Sequence, residues 1–142
     1  MINENIKLLN ELDKSININF RSNLDKVFLE CDNEQLSRVF LNLIKNSIES
    51  IQEKSQNSNN YNKKITIELI DNDSQINVII TDNGIGFGKN NIKELLNPYI
   101  TTKKNGSGLG LSIVNKIVND HNGKIEFIPS DEGAKIKIIF IR

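Results

Sequence analysis

The sequence predicts an α+β domain, a two-layer sandwich in which helices cover one face of a mixed, mostly antiparallel sheet. Three observations carry that expectation. Two stretches, near residues 33–54 and 109–121, repeat their apolar positions with helical spacing. Six shorter stretches alternate, or run apolar, over strand lengths. The longest apolar run is only the four residues Ile138–Ile141, far short of the roughly 20 needed to cross a bilayer.

Residues 1–14 carry Ile6, Leu8, Leu9 and Leu12, a short lead-in that is helix-like or extended. Ile16, Ile18 and Phe20 alternate with Asn17 and Asn19, the period of a half-buried strand, and Val27-Phe28-Leu29 is a second short strand candidate. Asp32 with Gln35 three residues on has the pattern of a capping box. The helix it opens runs to about Ser50–Lys54, with Leu36, Phe40, Leu43 and Ser47 on one stripe. Residues 53–64 hold no aliphatic side chain and read as a solvated loop. Strands Ile65–Ile70 and Ile76–Thr81 follow, joined by a turn at Asp71-Asn72-Asp73-Ser74. The stretch 82–108 is glycine-rich, with a possible helical turn at Ile92–Leu96. A second helix spans Leu109–His121 and stops at Asn122-Gly123. Strands Lys124–Ile128 and Lys135–Ile141 close the chain around the turn Pro129–Gly133.

Composition narrows the class further. The 142 residues suit a single core. Eighteen basic and 18 acidic residues give zero net charge, which argues against a basic stripe for nucleic acid or a polybasic membrane surface. Cys31 alone cannot form an internal disulfide, and one Cys with one His cannot build a zinc site. The start Met1-Ile2-Asn3-Glu4 does not read as a signal peptide. The expectation is a cytoplasmic domain without membrane contact of its own. The 24 Ile and 23 Asn, with Lys far above Arg, fit an AT-rich coding genome and carry no functional weight.

Four constellations carry chemistry. Asn42-x-x-x-Asn46 stacks two carboxamides on one helix face, where Asn has poor propensity. They suit a metal and phosphates, or are two surface residues of an Asn-rich chain. Asp82-Asn83-Gly84-Ile85-Gly86 sets a carboxylate at a strand end beside small residues, able to accept from an exocyclic amino group, or is an Asx bend in a glycine turn. Gly106-Ser107-Gly108-Leu109-Gly110 opens the second helix, so its N–H groups and the helix terminus could cradle phosphates, or it is a hinge. Pro98-Tyr99-Ile100-Thr101-Thr102-Lys103 could be a lid over a nucleotide, or a proline bend. A dinucleotide fingerprint fails at Leu111 and Lys89, and a Walker A loop fails because Gly88-Lys89 and Gly123-Lys124 precede Asn90 and Ile125.

In this order the four elements resemble the ATP-binding boxes of sensor histidine kinases, members of the GHKL superfamily shared with gyrase, the heat-shock chaperone and the MutL mismatch-repair ATPases. The wording Pro98-Tyr99-x-Thr101-Thr102-Lys103, then Gly106 to Val114, is similar to the nitrogen-regulation subclass of NtrB and NtrY type. His121-Asn122-Gly123 resembles the His-Gly-Gly that closes the same helix there. The likeness covers residues 16–141. It implies a Bergerat fold with a flexible ATP lid, in which 15–142 form the ATP-binding catalytic domain and 1–14 a lead-in from a dimerisation domain that this chain lacks.

The resemblance implies roles residue by residue. Asn46 would ligate Mg²⁺ and Asn42 support the phosphates, the two forming the catalytic pair. Asp82 would bind the adenine amino group, with Gly84 and Gly86 permitting close approach. Gly106, Ser107, Gly108, Leu109 and Gly110 would cradle the β- and γ-phosphates of ATP, with Thr102 and Lys103 acting from the lid. The γ-phosphoryl group would pass to a histidine on the dimerisation domain and onward to a response regulator. ATPases of the superfamily place a glutamate base where this chain has Asn42, and an amide cannot deprotonate water, so phosphotransfer is preferred over hydrolysis. That residue also weighs against a stand-alone serine kinase of the anti-sigma type. A nucleotide-binding scaffold is the third class. Glu49 departs from the Lys common in other subclasses. His121 lacks the acid that follows acceptor histidines and reads as structural.

Overall fold

A computed structural model describes residues 1–57, 61–87 and 110–142. Helix α1 (Ile2–Asn10) precedes strand β1 (Asn17–Ser22), and helix α2 (Asn33–Ser55) crosses to strand β2 (Lys64–Asp71). Strand β3 (Gln75–Asp82), helix α3 (Gly110–Asp120) and strands β4 (Gly123–Ile128) and β5 (Lys135–Ile141) complete the described elements. The sheet has the order β1-β2-β3-β5-β4. Among the described strands β1 and β2 pair in parallel, while β2–β3, β3–β5 and β4–β5 are antiparallel.

The register explains the two layers. Ile18 lies opposite Ile65, Ile67 opposite Ile80, Ile80 opposite Ile136, and Ile136 opposite Phe127. Side chains alternate across a strand, so these residues share one face. Ile65, Ile67, Ile76, Val78, Ile80, Ile136, Ile138 and Phe140 are buried there. The facing layer is the apolar stripe of α2 (Leu36, Val39, Phe40, Leu43, Ile44, Ile48 and Ile51) with Val114, Ile117 and Val118 of α3. The opposite sheet face carries Arg21–Glu68 and Lys124–Glu126 ion pairs at 3.7 and 3.2 Å. Exposed pairs of this kind contribute little, so the apolar layer holds the sandwich together.

Local signals in the sequence act as expected at several joints. The Asp32 side chain accepts from the Gln35 N–H at 3.1 Å and caps α2. Asn72 Oδ1 accepts from the N–H groups of Ser74 and Gln75, tightening the β2–β3 turn. Asn122 takes a left-handed φ of 56° after α3 and lets β4 start at Gly123. The lead-in forms a helix, with Leu9 in the core and Asn5 bonded to Ser37 of α2.

One strand expectation is corrected. Val27–Leu29 forms no strand. Its alternation is genuine, since Val27 and Leu29 pack against the core while Phe28 is 77% exposed. Apolar alternation serves burial as well as pairing, and the segment uses it to lie over the core without a ladder partner.

Candidate functional site

Strand β3 delivers Asp82 to the end of the core face, where the carboxylate is 4% exposed. Burying a carboxylate demands donors. The Gly84 N–H donates to Asp82 Oδ1 at 2.9 Å and the Ala134 N–H at 3.3 Å, while the Ser47 hydroxyl of α2 bonds to the same group. Burial pushes the Asp82 pKa up, and those three donors with the Lys54 charge pull it back. The Asp82 N–H closes the arrangement by donating to the Ala134 carbonyl at 2.9 Å.

The glycines beside Asp82 are needed by the protein itself. A Cβ on Gly84 would fall 2.5 Å from the Ser50 backbone carbon and 2.7 Å from the Ile51 nitrogen, so the turn lies directly on α2. Gly133, at a φ of 70°, leaves 2.0 Å between a Cβ and the Asp82 carbonyl oxygen. On the side where a Cβ would stand, Gly84 is in close contact with α2.

A second group of side chains secures the same turn from behind. Asn83 Oδ1 accepts from the Lys64 N–H at 3.0 Å, and its Nδ2 donates to the Asn62 carbonyl. Lys54 Nζ donates to the Asn83 carbonyl at 3.1 Å and to Glu132 at 3.3 Å, and stands 4.5 Å from the Tyr61 ring centre. Ser50, Lys54 and Ala134 stand out by no motif in the sequence, whereas Asn83 belongs to the Asp82–Gly86 constellation and Ser47 is the one polar member of an apolar helix stripe.

Asn42 and Asn46 sit half-buried in the middle of α2, and Asn46 directly precedes the serine that meets Asp82. Of the two neighbouring residues Asn46 and Ser47, it is Ser47 that contacts the Asp82 carboxylate. Gly110 opens α3, and among the described residues nothing lies within 4 Å of where its Cβ would stand. Thr102, Lys103, Gly106, Ser107, Gly108 and Leu109, with Gly88 and Ile92–Leu96, lie outside the described residues. A separate hollow of about 600 Å³ lies among Phe20, Leu36, Phe40, Ile76 and Phe140 at the far end of the core. Its lining mixes these apolar side chains with Ser22, Asp25 and Lys26 and includes neither Asp82 nor the asparagine pair.

The donor set also speaks to a metal. Among the described residues no cluster of His, Cys, Asp or Glu could enclose an ion. Mg²⁺ does not require such a cage, because it keeps several waters and is held by one or two protein oxygens together with substrate phosphates. A half-buried Asn46 amide oxygen fits that requirement.

The family described as histidine kinase-, DNA gyrase B-, and HSP90-like ATPases matches residues 31–142. The chain belongs to this family. As a member of it, the domain is 38% identical over 135 residues to an NtrY-like sensor histidine kinase of Rickettsia conorii, covering 94% of this chain and 21% of that protein. It is 33% identical over 135 residues to sporulation kinase E of Bacillus subtilis, covering 94% and 17%. The catalytic domain of histidine kinase ThkA superposes with a TM-score of 0.84 at 28% identity, covering 99% of this chain and 89% of that one. This ATPase-family domain therefore has the fold of a histidine kinase catalytic domain. It spans about a fifth of the length of the NtrY-like relatives it matches. Among the described residues, no helix is long and apolar enough to cross a membrane.

Proposed function

We propose that this domain binds Mg-ATP and presents its γ-phosphoryl group to a histidine on a separate dimerisation domain of a sensor kinase. The observation that carries the reading is Asp82. A carboxylate buried at a strand end, with donors from Gly84, Ala134 and Ser47, keeps acceptor capacity for one more donor. An adenine amino group supplies that donor. Asn42 and Asn46 stand on the adjoining helix face for the phosphates, and Gly110 marks the helix terminus at which Gly106–Leu109 would complete the cradle.

Mg²⁺, held by Asn46, would neutralise phosphate charge and orient the transferring group. The protein's share is positioning: Asp82 fixes the base, α2 fixes the asparagines relative to it, and Thr102 and Lys103 act from the lid. Asn42 provides no base for water, which favours transfer over hydrolysis. A response regulator is the downstream partner in this reading, supported by the ThkA kinase bound to the response regulator TrrA, which matches with a TM-score of 0.79 at 25% identity. The domain would lie in the cytoplasm, with any membrane anchor in other parts of the kinase.

Isothermal titration tests the binding step. Mg-ADP binds the native domain, Asp82→Ala abolishes binding, and Asn46→Asp changes the metal dependence. No heat at millimolar nucleotide would sink the reading. Mixing the domain with ATP and a separately expressed acceptor hairpin tests transfer through acid-labile phosphohistidine.

A further inference from the structure

Two serines of α2 lie between the asparagine pair and the base-reading carboxylate, and their contacts go beyond holding a core. Ser47 is 4% exposed, in line with Leu36, Phe40 and Leu43 on the apolar stripe of α2. A buried hydroxyl there needs a partner, and its partner is Asp82. Ser50, three residues on, makes two bonds to the glycine turn: its Oγ accepts from the Gly86 N–H and its carbonyl from the Ile85 N–H, both at 3.3 Å. A Cβ on Gly84 would stand 2.3 Å from Ser50 Oγ, so the turn rests on this serine with no clearance. The residues from Asp82 to Gly86 therefore meet α2 along the single helical turn that follows Asn46.

We infer that Ser47 and Ser50 are positioning residues for base recognition: they lock the Asp82–Gly86 turn onto α2, so that the carboxylate keeps one fixed acceptor direction and selects a 6-aminopurine over a 6-oxopurine. The inference rests on the reading of Asp82 as the adenine contact. The chemistry of selection follows from the donor inventory. A carboxylate offers about four acceptor positions, and the Gly84 N–H, the Ala134 N–H and the Ser47 hydroxyl engage three. An amino group can use the fourth, whereas a 6-oxo group would set oxygen against oxygen. Without Ser47 the carboxylate gains a second free position and a choice of orientation. Without the Ser50 hydroxyl the Gly86 N–H loses its partner and the turn can lift from the helix.

The test compares Mg-ADP with Mg-IDP, which differ at the 6-position, by competition against a fluorescent adenine nucleotide on the intact domain. Ser47→Ala is expected to weaken Mg-ADP about tenfold and Ser50→Ala about threefold, in the range of a lost hydrogen bond to a charged and to a neutral group. Mg-IDP should change less than twofold, so the ADP preference narrows. Ser47→Thr, which keeps the hydroxyl, should restore most of the preference. Equal losses for both nucleotides would assign the serines to general folding or to the neighbouring Asn46, and would overturn the inference. Unchanged ADP affinity in both alanine variants would overturn it too, while leaving the site reading intact. Failure of the native domain to bind Mg-ADP would remove the site reading and this inference together.

Discussion

Asp82 answers to two opposing demands. Burial favours its protonated form, while the amides of Gly84 and Ala134 and the Ser47 hydroxyl favour the carboxylate, and burial has the larger effect. Its folded pKa therefore lies above the ordinary value near 3.9. A raised folded pKa means that the native state holds this proton more tightly than the unfolded chain does. Stability from this group is greatest below the unfolded value and falls as pH rises through the folded one. Asp82→Asn, neutral and nearly isosteric, should lose that slope, which urea titrations between pH 4 and 7 would reveal. Identical slopes in the two proteins would refute the assignment. The same variant presents an amide where a carboxylate stood, so Mg-ADP affinity should drop by about a hundredfold and the preference should move toward the 6-oxopurine.

At the scale of elements, two joints tie α2 to its neighbours. The first is the Gly84 turn on α2. Gly84→Ala must displace helix backbone at Ser50 and Ile51, and is expected to destabilise by about 1–3 kcal/mol in chemical denaturation. The second is His121, which follows α3: its Nδ1 bonds the Ile117 carbonyl at 2.8 Å and its Nε2 accepts the Asp32 N–H at 3.1 Å. It ties the end of one helix to the cap of the other. The residue thus acts as a hydrogen-bonding bridge between the two helices. His121→Ala should cost about 1–2 kcal/mol of stability and leave Mg-ADP affinity unchanged; a large loss of affinity would contradict a structural role. These joints also mark what could be read from the chain alone. The two long helices, the five described strands and the Asp32 cap followed from periodicity and capping chemistry, because those signals are local. Asp82, Asn42 and Asn46 were legible as candidates because motif order is linear. The Ser50 seat, the Lys54–Glu132 clamp and the Ala134 donor were not, since each joins residues tens of positions apart that no periodicity relates.

For the molecule as a whole, one sheet joins strands of very different connectivity. The partners β2 and β3 are linked by a three-residue turn, and β4 pairs with its immediate successor β5. By contrast β1 reaches its partner β2 across the entire length of α2, in parallel, and stands at the edge of the sheet among the described strands. Closing that long loop costs entropy before any ladder bond forms. The edge strand should therefore join last on the way in and leave first on the way out. In native-state hydrogen exchange, amides of Ile18 and Phe20 should exchange at lower denaturant than those of Val78 and Ile80, and simultaneous exchange would argue for a single cooperative unit. The kinetic counterpart is that trimming Ile18 or Phe20 to alanine should speed unfolding while barely slowing folding. The antiparallel strands that carry Asp82 would then hold together after the amino-terminal edge has peeled away.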